Sequence, residues 1–119
     1  MILVVDDDPV FLEKASEILN RDRKVFVSGD AKHAFELAKN LGFSVVLVDL
    51  DLEREDGLVL IRRIHESFPG LPIIAVSATP KEIVLELAKE FGAVEILQKP
   101  ITAQWKPVVE RVRATAERG

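Results

Sequence analysis

The sequence predicts an α/β fold, a five-stranded parallel sheet with five helices on both faces. Three observations carry that reading. Short β-branched apolar runs recur at Ile2-Leu3-Val4-Val5, Val45-Val46-Leu47-Val48, Ile73-Ile74-Ala75-Val76 and Val94 to Leu97. Runs of this kind, bounded by turn residues, read as strands buried on both faces. Segments with apolar residues at helical spacing separate them, and strict alternation of strand and helix implies a parallel sheet.

The elements follow in order. Strand 1 is Ile2 to Asp6. Helix 1 opens near Pro9, a good first-turn residue, and presents Phe11, Leu12, Ala15, Ile18 and Leu19 on one face. Strand 2 is Lys24 to Ser28. Helix 2 starts at the N-cap Asp30, buries Ala34, Phe35, Leu37, Ala38 and Leu41, and stops at Gly42. Strand 3 is Ser44 to Asp49. Helix 3 runs from about Gly57 to Phe68, before Pro69-Gly70. Strand 4 is Pro72 to Val76. Helix 4 opens at Pro80 and ends at Gly92. Strand 5 is Val94 to Gln98. Pro107 fits only a first turn, so helix 5 begins near Trp105. Right-handed crossovers are nearly obligatory. Five strands with a switch point give the flavodoxin-like order 2-1-3-4-5.

Length and composition bound what the chain does. Its 119 residues support one domain over 1–119. Apolar content of 48% lies above the disordered range. The net charge of −4 argues against a nucleic-acid surface, which needs a basic patch. There is no cysteine, and hence no disulfide or thiolate metal site. The first apolar run is too short for a signal peptide, and no stretch approaches the ~20 residues needed to span a bilayer. The expectation is a soluble cytoplasmic protein with no membrane or direct nucleic-acid partner.

Parallel strands end at one edge of the sheet, where ligands of open α/β sheets bind. Strand 1 leads into Asp6-Asp7-Asp8, strand 3 into Asp49, strand 4 into Ser77 and strand 5 into Lys99-Pro100. Taken singly, each has a plainer use. Asp6 to Asp8 suit a helix cap, Asp49 a turn, Ser77 an N-cap and Lys99 a solvated surface. The shared edge is what singles them out. Carboxylates this close raise each other's pKa unless a cation neutralises them, and oxygen-only ligands favour Mg²⁺. Adjacent strand residues face opposite ways, so Asp6 or Asp7 must sit where the strand becomes loop. A cis Lys99-Pro100 bond, which proline makes possible, would aim Lys99 inward at the Asp49 carboxylate. A carboxylate beside Mg²⁺, an ammonium and a hydroxyl make a phosphoryl acceptor site. His33 and His65 lie among charges in helices and read as surface residues, and Glu53 to Asp56 as a solvated loop.

The residues here reach a known family. Val4-Val5-Asp6-Asp7-Asp8-Pro9, Val48-Asp49-Leu50 with Gly57 eight residues later, Val76-Ser77-Ala78, Gly92-Ala93 and Lys99-Pro100 stand in order at the strand ends. Over essentially its whole length the chain resembles the chemotaxis-regulator-like receiver domain of two-component response regulators. The resemblance implies a signalling switch in which Asp49 is the phosphoacceptor and Asp7 a direct Mg²⁺ ligand. Asp6 acts mainly through water, and the backbone carbonyl of Asp51 completes the ligands. Ser77 is the switch hydroxyl and Lys99 pairs with the phosphate. The donor is a sensor histidine kinase or phosphotransfer protein. The domain is then no enzyme beyond self-catalysed phosphorylation and dephosphorylation. Two positions depart from the family pattern. Ile96 stands where an aromatic residue usually rotates inward, and Glu53 where a proline is common.

Leu85 lies off the expected buried stripe Ile83-Leu87-Phe91. With Ile96 and Trp105 it would form an exposed apolar patch on the helix 4, strand 5, helix 5 side, and such patches mark partner surfaces. The alternative is that Trp105 folds back onto the core. The resemblance favours the patch, read by a downstream protein or a homodimer. Two rival functions remain open. Asp49-Leu50-Asp51 after an apolar strand resembles the acid pair of haloacid-dehalogenase-like phosphatases, and a pseudo-receiver would bind partners without phosphorylation.

Overall fold

The computed structural model describes residues 1–20, 24–52, 56–79 and 81–118, with side chains through residue 115. The expected loop at Glu53 to Glu55 and the expected helix opening at Pro80 lie outside the described residues. Ten elements alternate along the chain: β1 (Ile2–Val5), α1 (Pro9–Leu19), β2 (Val25–Ser28), α2 (Ala31–Asn40), β3 (Val45–Asp49), α3 (Gly57–Ser67), β4 (Ile73–Ser77), α4 (Glu82–Phe91), β5 (Ala93–Gln98) and α5 (Trp105–Arg118). The five strands are parallel, in the order β2-β1-β3-β4-β5. The fold class and strand order are those the sequence predicts, with boundaries shifted by one or two residues.

Acids cap three of the helices. The carboxylates of Asp8, Asp30 and Asp56 accept from the amides of Val10, His33 and Leu58, satisfying donors that a helix start leaves unpaired. The His33 amide holds the Asp30 carboxyl below its ordinary range. Pro9 occupies the first turn of α1, and Pro107 falls in the first turn of α5, where its missing N–H costs nothing.

Strand residues alternate between two buried layers. Leu3, Val5, Val46, Val48, Ile73 and Ala75 pack beneath α2, α3 and α4. Ile2, Val4, Val45, Leu47, Ile74 and Val76 pack beneath α1 and α5, against Phe11, Ala15, Leu19, Trp105 and Val109. Strands apolar on both sides are what two covered faces require.

The expected exposed patch does not form. Trp105 is 4% exposed and packs against Phe11, with ring centroids 5.8 Å apart. Leu85, on α4, and Ile96, on β5, are half-buried against the opposite layer, the one that α2, α3 and α4 cover. The three residues therefore lie on different sides of the sheet. The buried stripe of α4 is also rotated from its expected phase. Ala88 is buried and Val84, Leu85 and Phe91 pack on the core, while Ile83 is 65% exposed. The segment is apolar over so much of its circumference that spacing alone selects two stripes, and contact with the sheet decides between them. The apolar side chains left open on α4 and β5 are Ile83 and Val94.

Gly57 opens α3 in close contact with the end of β3. A methyl group there would overlap the carbonyl oxygen of Asp49 and the Cα of Leu50. Alanine normally improves a helix by about 1 kcal/mol over glycine. At this position backbone must move to admit it, so Gly57→Ala is expected to destabilise the protein by about 2 kcal/mol or more in denaturant unfolding.

Candidate functional site

Register brings the acids together. Val5 pairs with Val48 in the β1–β3 ladder, so one step on, Asp6 lies beside Asp49. The same alternation turns both toward the side covered by α1 and α5. Asp6 is fully buried and Asp49 is 3% exposed. Asp7 lies in the turn beyond the strand, nearer solvent. One carboxylate oxygen from each of Asp6, Asp7 and Asp49 falls within 4.8 Å of the others.

Lys99 enters from the far edge. Ser77 pairs with Gln98 in the β4–β5 ladder, and the Lys99 amide donates to the Ser77 carbonyl at 2.9 Å. The Lys99–Pro100 peptide bond is cis, the isomer that proline makes possible. The ammonium lies 2.6 Å from Asp6 Oδ2 and 3.6 Å from Asp49 Oδ2. Lys99 thus reaches Asp49, but its tighter pairing is with Asp6, which the sequence did not indicate. Ser77 is buried at the end of β4, on the same edge.

Backbone donors fix the carboxylates. The Asp8 amide donates to Asp6 Oδ1 at 2.8 Å, and the Asp51 amide donates to Asp49 Oδ1 at 3.0 Å. Asp51 itself is exposed, so it adds charge at the rim rather than inside. Asp8, the third acid of the run, caps α1 through Val10. The plainer capping use is therefore correct for Asp8 while Asp6 and Asp7 gather with Asp49.

The electrostatics are those of a crowded acidic crevice. Burial pushes the Asp49 carboxyl up to about 6, and the charge of Asp6 adds to that. The Asp51 amide and the Lys99 ammonium pull the other way without overcoming it. Burial alone would push Lys99 down, but Asp6, Asp49 and Asp8 together hold it above its ordinary value.

The residues fit a hard divalent cation. The ligand atoms are all oxygens, at a spacing one ion can bridge. Asp6 Oδ2 is buried against the Lys99 ammonium at 2.6 Å, and that same ammonium also serves Asp49 Oδ2 at 3.6 Å. Three clustered carboxylates around one shared ammonium leave an excess of negative charge that a cation would stabilise. Asp6, Asp7 and Asp49 are the side chains that would hold it.

One residue of the site escapes motif reading. Phe11 lies under the Lys99 ammonium, which is 4.4 Å from its ring centroid. Its helical spacing marked it only as core. Gly57 was visible as a motif position, and its contact with the Asp49 backbone supplies the physical reason.

An open parallel sheet with an acidic, lysine-bearing crevice at its carboxyl edge defines an α/β domain with its site at the topological switch point. The family model of the response regulator receiver domain matches residues 2–106, and the chain belongs to that family. It is 38% identical over 104 residues to protein-glutamate methylesterase/protein-glutamine glutaminase 2 of Methanosarcina mazei, covering 82% of this chain and 28% of that protein. A similar protein of Syntrophus aciditrophicus is 38% identical over 108 residues, covering 86% of this chain and 31% of its own length. The chain thus spans less than a third of the curated relatives it matches. Among solved structures, the receiver domain of NtrX from Brucella abortus superposes with a TM-score of 0.89 at 28% identity, covering 97% of this chain and 99% of that one. A CheY-like receiver domain protein from Methanospirillum hungatei shares the fold with a TM-score of 0.90 at 24% identity, covering 99% and 97%. Family membership sets aside the haloacid-dehalogenase reading of Asp49 and Asp51. No helix among the described residues is long and apolar enough to cross a membrane.

The raised pKa of Asp49 has a thermodynamic sign. A carboxyl whose folded pKa lies above its unfolded value of 3.8 disfavours folding as the anion. That cost is full above about pH 6 and vanishes below the unfolded pKa. Asp49→Asn is expected to raise the melting temperature in metal-free buffer at about pH 8, with the gain shrinking as pH falls toward about 4. Calorimetric melts across that range check it.

Proposed function

We propose that this receiver domain works as a phosphoacceptor switch in which Asp49 takes a phosphoryl group from a histidine kinase or phosphotransfer protein. The observation that carries the reading is the convergence of three carboxylates within 4.8 Å, with the Lys99 ammonium 3.6 Å from Asp49. Burying Asp6 and Asp49 side by side is costly, and carboxylates perturbed in this way cluster at functional sites.

Asp49 Oδ2, the oxygen that faces Lys99, is the nucleophile; Oδ1 is occupied by the Asp51 amide. It attacks the phosphorus of a phosphohistidine. The new oxygen–phosphorus bond forms as the nitrogen–phosphorus bond breaks, and the imidazole keeps the electron pair and takes a proton from solvent. A Mg²⁺ ion held by Asp6, Asp7, Asp49 and the Asp51 carbonyl would supply charge neutralisation for the transferred oxygens. Lys99 neutralises a second phosphoryl oxygen and Ser77 donates to a third. Water attack on the acyl phosphate later releases inorganic phosphate and restores the carboxylate.

The output is a shift between two conformations, with Ser77 and the loops at this edge responding to the new dianion. A downstream protein or second copy would read the α4, β5, α5 side. With Trp105 inside, Ile83 and Val94 are its exposed apolar contacts. The methylesterase activity named for the curated relatives belongs to longer proteins, of which this chain matches less than a third.

Incubation with a small phosphodonor and Mg²⁺ tests the reading by intact-protein mass. One phosphoryl adduct is expected on the wild type, lost with chelator and absent from Asp49→Asn. An equal adduct on that variant, or none on the wild type, contradicts it. The second of those outcomes would favour a pseudo-receiver.

A further inference from the structure

The Lys99 side chain has more to hold it than its carboxylate partners. Its ammonium lies 4.4 Å from the centroid of the Phe11 ring while lying 2.6 Å from Asp6 Oδ2 and 3.6 Å from Asp49 Oδ2. A cation over an aromatic face is attracted by the ring quadrupole, more strongly where water is excluded. Water is largely excluded here, since Phe11 is 6% exposed and the Lys99 side chain 19%. Phe11 is itself held. It sits in the first turns of α1 and meets Trp105 from the start of α5, with centroids 5.8 Å apart and planes at 58°. Tilted aromatic pairs at that distance are favourable. Both rings belong to the core layer that Asp6 and Asp49 face.

A four-carbon lysine stem is flexible, and its entropy must be overcome to place the charge. Between two carboxylates of unequal distance the ammonium would follow the nearer one. The ring supplies a fixed floor that neither acid provides. We infer that Phe11, held by Trp105, is the positioning residue that sets the Lys99 ammonium between Asp6 and Asp49 for phosphoryl transfer. The inference rests on the proposed phosphoacceptor role for its consequence in rate, and on geometry alone for the placement itself.

Two readouts on the full chain separate these. The first is the chemical shift of the Lys99 ε-methylene protons, which needs no phosphorylation. Over the ring face they resonate upfield, and in Phe11→Leu they return toward the value of a solvated lysine. The second is the rate of acyl-phosphate formation from a small phosphodonor with Mg²⁺. Phe11→Leu keeps an apolar side chain of similar bulk and is expected to slow it by about five- to tenfold. Phe11→Tyr keeps the ring and retains both properties. Leu19→Val is the control for ordinary core loss, since Leu19 lies on the same helix and in the same layer. It leaves the Lys99 resonance and the rate unchanged. Emission from Trp105, the one tryptophan in the chain, verifies that each variant is folded.

If Phe11→Leu matches the wild type in both resonance and rate, or if Leu19→Val slows the reaction equally, the positioning role is overturned. If the wild type forms no adduct at all, the phosphoacceptor reading falls instead. The lysine resonance then decides the placement by itself, upfield in the wild type if the ring holds the ammonium and unshifted if it does not.

Discussion

Asp6 and Asp49 are buried side by side, with one ammonium to share between them. Two like charges taken out of water at contact distance cost several kcal/mol unless partners compensate. Lys99 offsets part of that, backbone amides at Asp8 and Asp51 offset more, and the Asp49 carboxyl still stays raised to about 6. The remaining imbalance is the feature from which function follows. It makes the crevice a place where a cation is stabilising. In the proposed phosphoacceptor role, the Asp49 oxygen that faces the ammonium is the nucleophile for a group that brings its own negative oxygens.

The fold is arranged so that this imbalance can be tolerated. The acids stand at strand ends, where loop amides reach them and where Asp7 remains closer to solvent than Asp6. The two apolar layers that fix the strands use every residue before the acids, so the register cannot slip without turning Asp6 and Asp49 away from each other. Gly57 lets α3 start directly against the Asp49 backbone, closing the loop that carries the Asp51 amide. Stability of the sheet and geometry of the site are therefore one construction.

Much of this was legible in the sequence because strand ends are legible. Apolar runs that stop at Asp6, Asp49, Ser77 and Lys99 reveal both the sheet and the common edge, and the strand order follows from alternation and handedness. What stayed hidden depends on contacts across the fold. The apolar residues of α4 fit two stripes, and only packing on the sheet chose Ala88 over Ile83. Trp105 suits a surface patch or a core cap equally well by spacing, and the ring of Phe11 decided for the core. Lys99 was traceable to the edge but not to its nearer partner, because a long side chain reaches both acids and a local distance of about an ångström separates the choices. Phe11 looked like any buried helix residue, since nothing in helical periodicity tells which charge will lie above a ring.

The central claim is that these three carboxylates form one cation site rather than a strained cap. Calorimetric titration of Mg²⁺ into the unphosphorylated protein at neutral pH tests it most directly. One ion is expected to bind per chain, raising the melting temperature as ligand linkage requires, and Asp7→Asn is expected to abolish binding. No measurable binding by the wild type, or binding that survives loss of Asp7, would contradict the account.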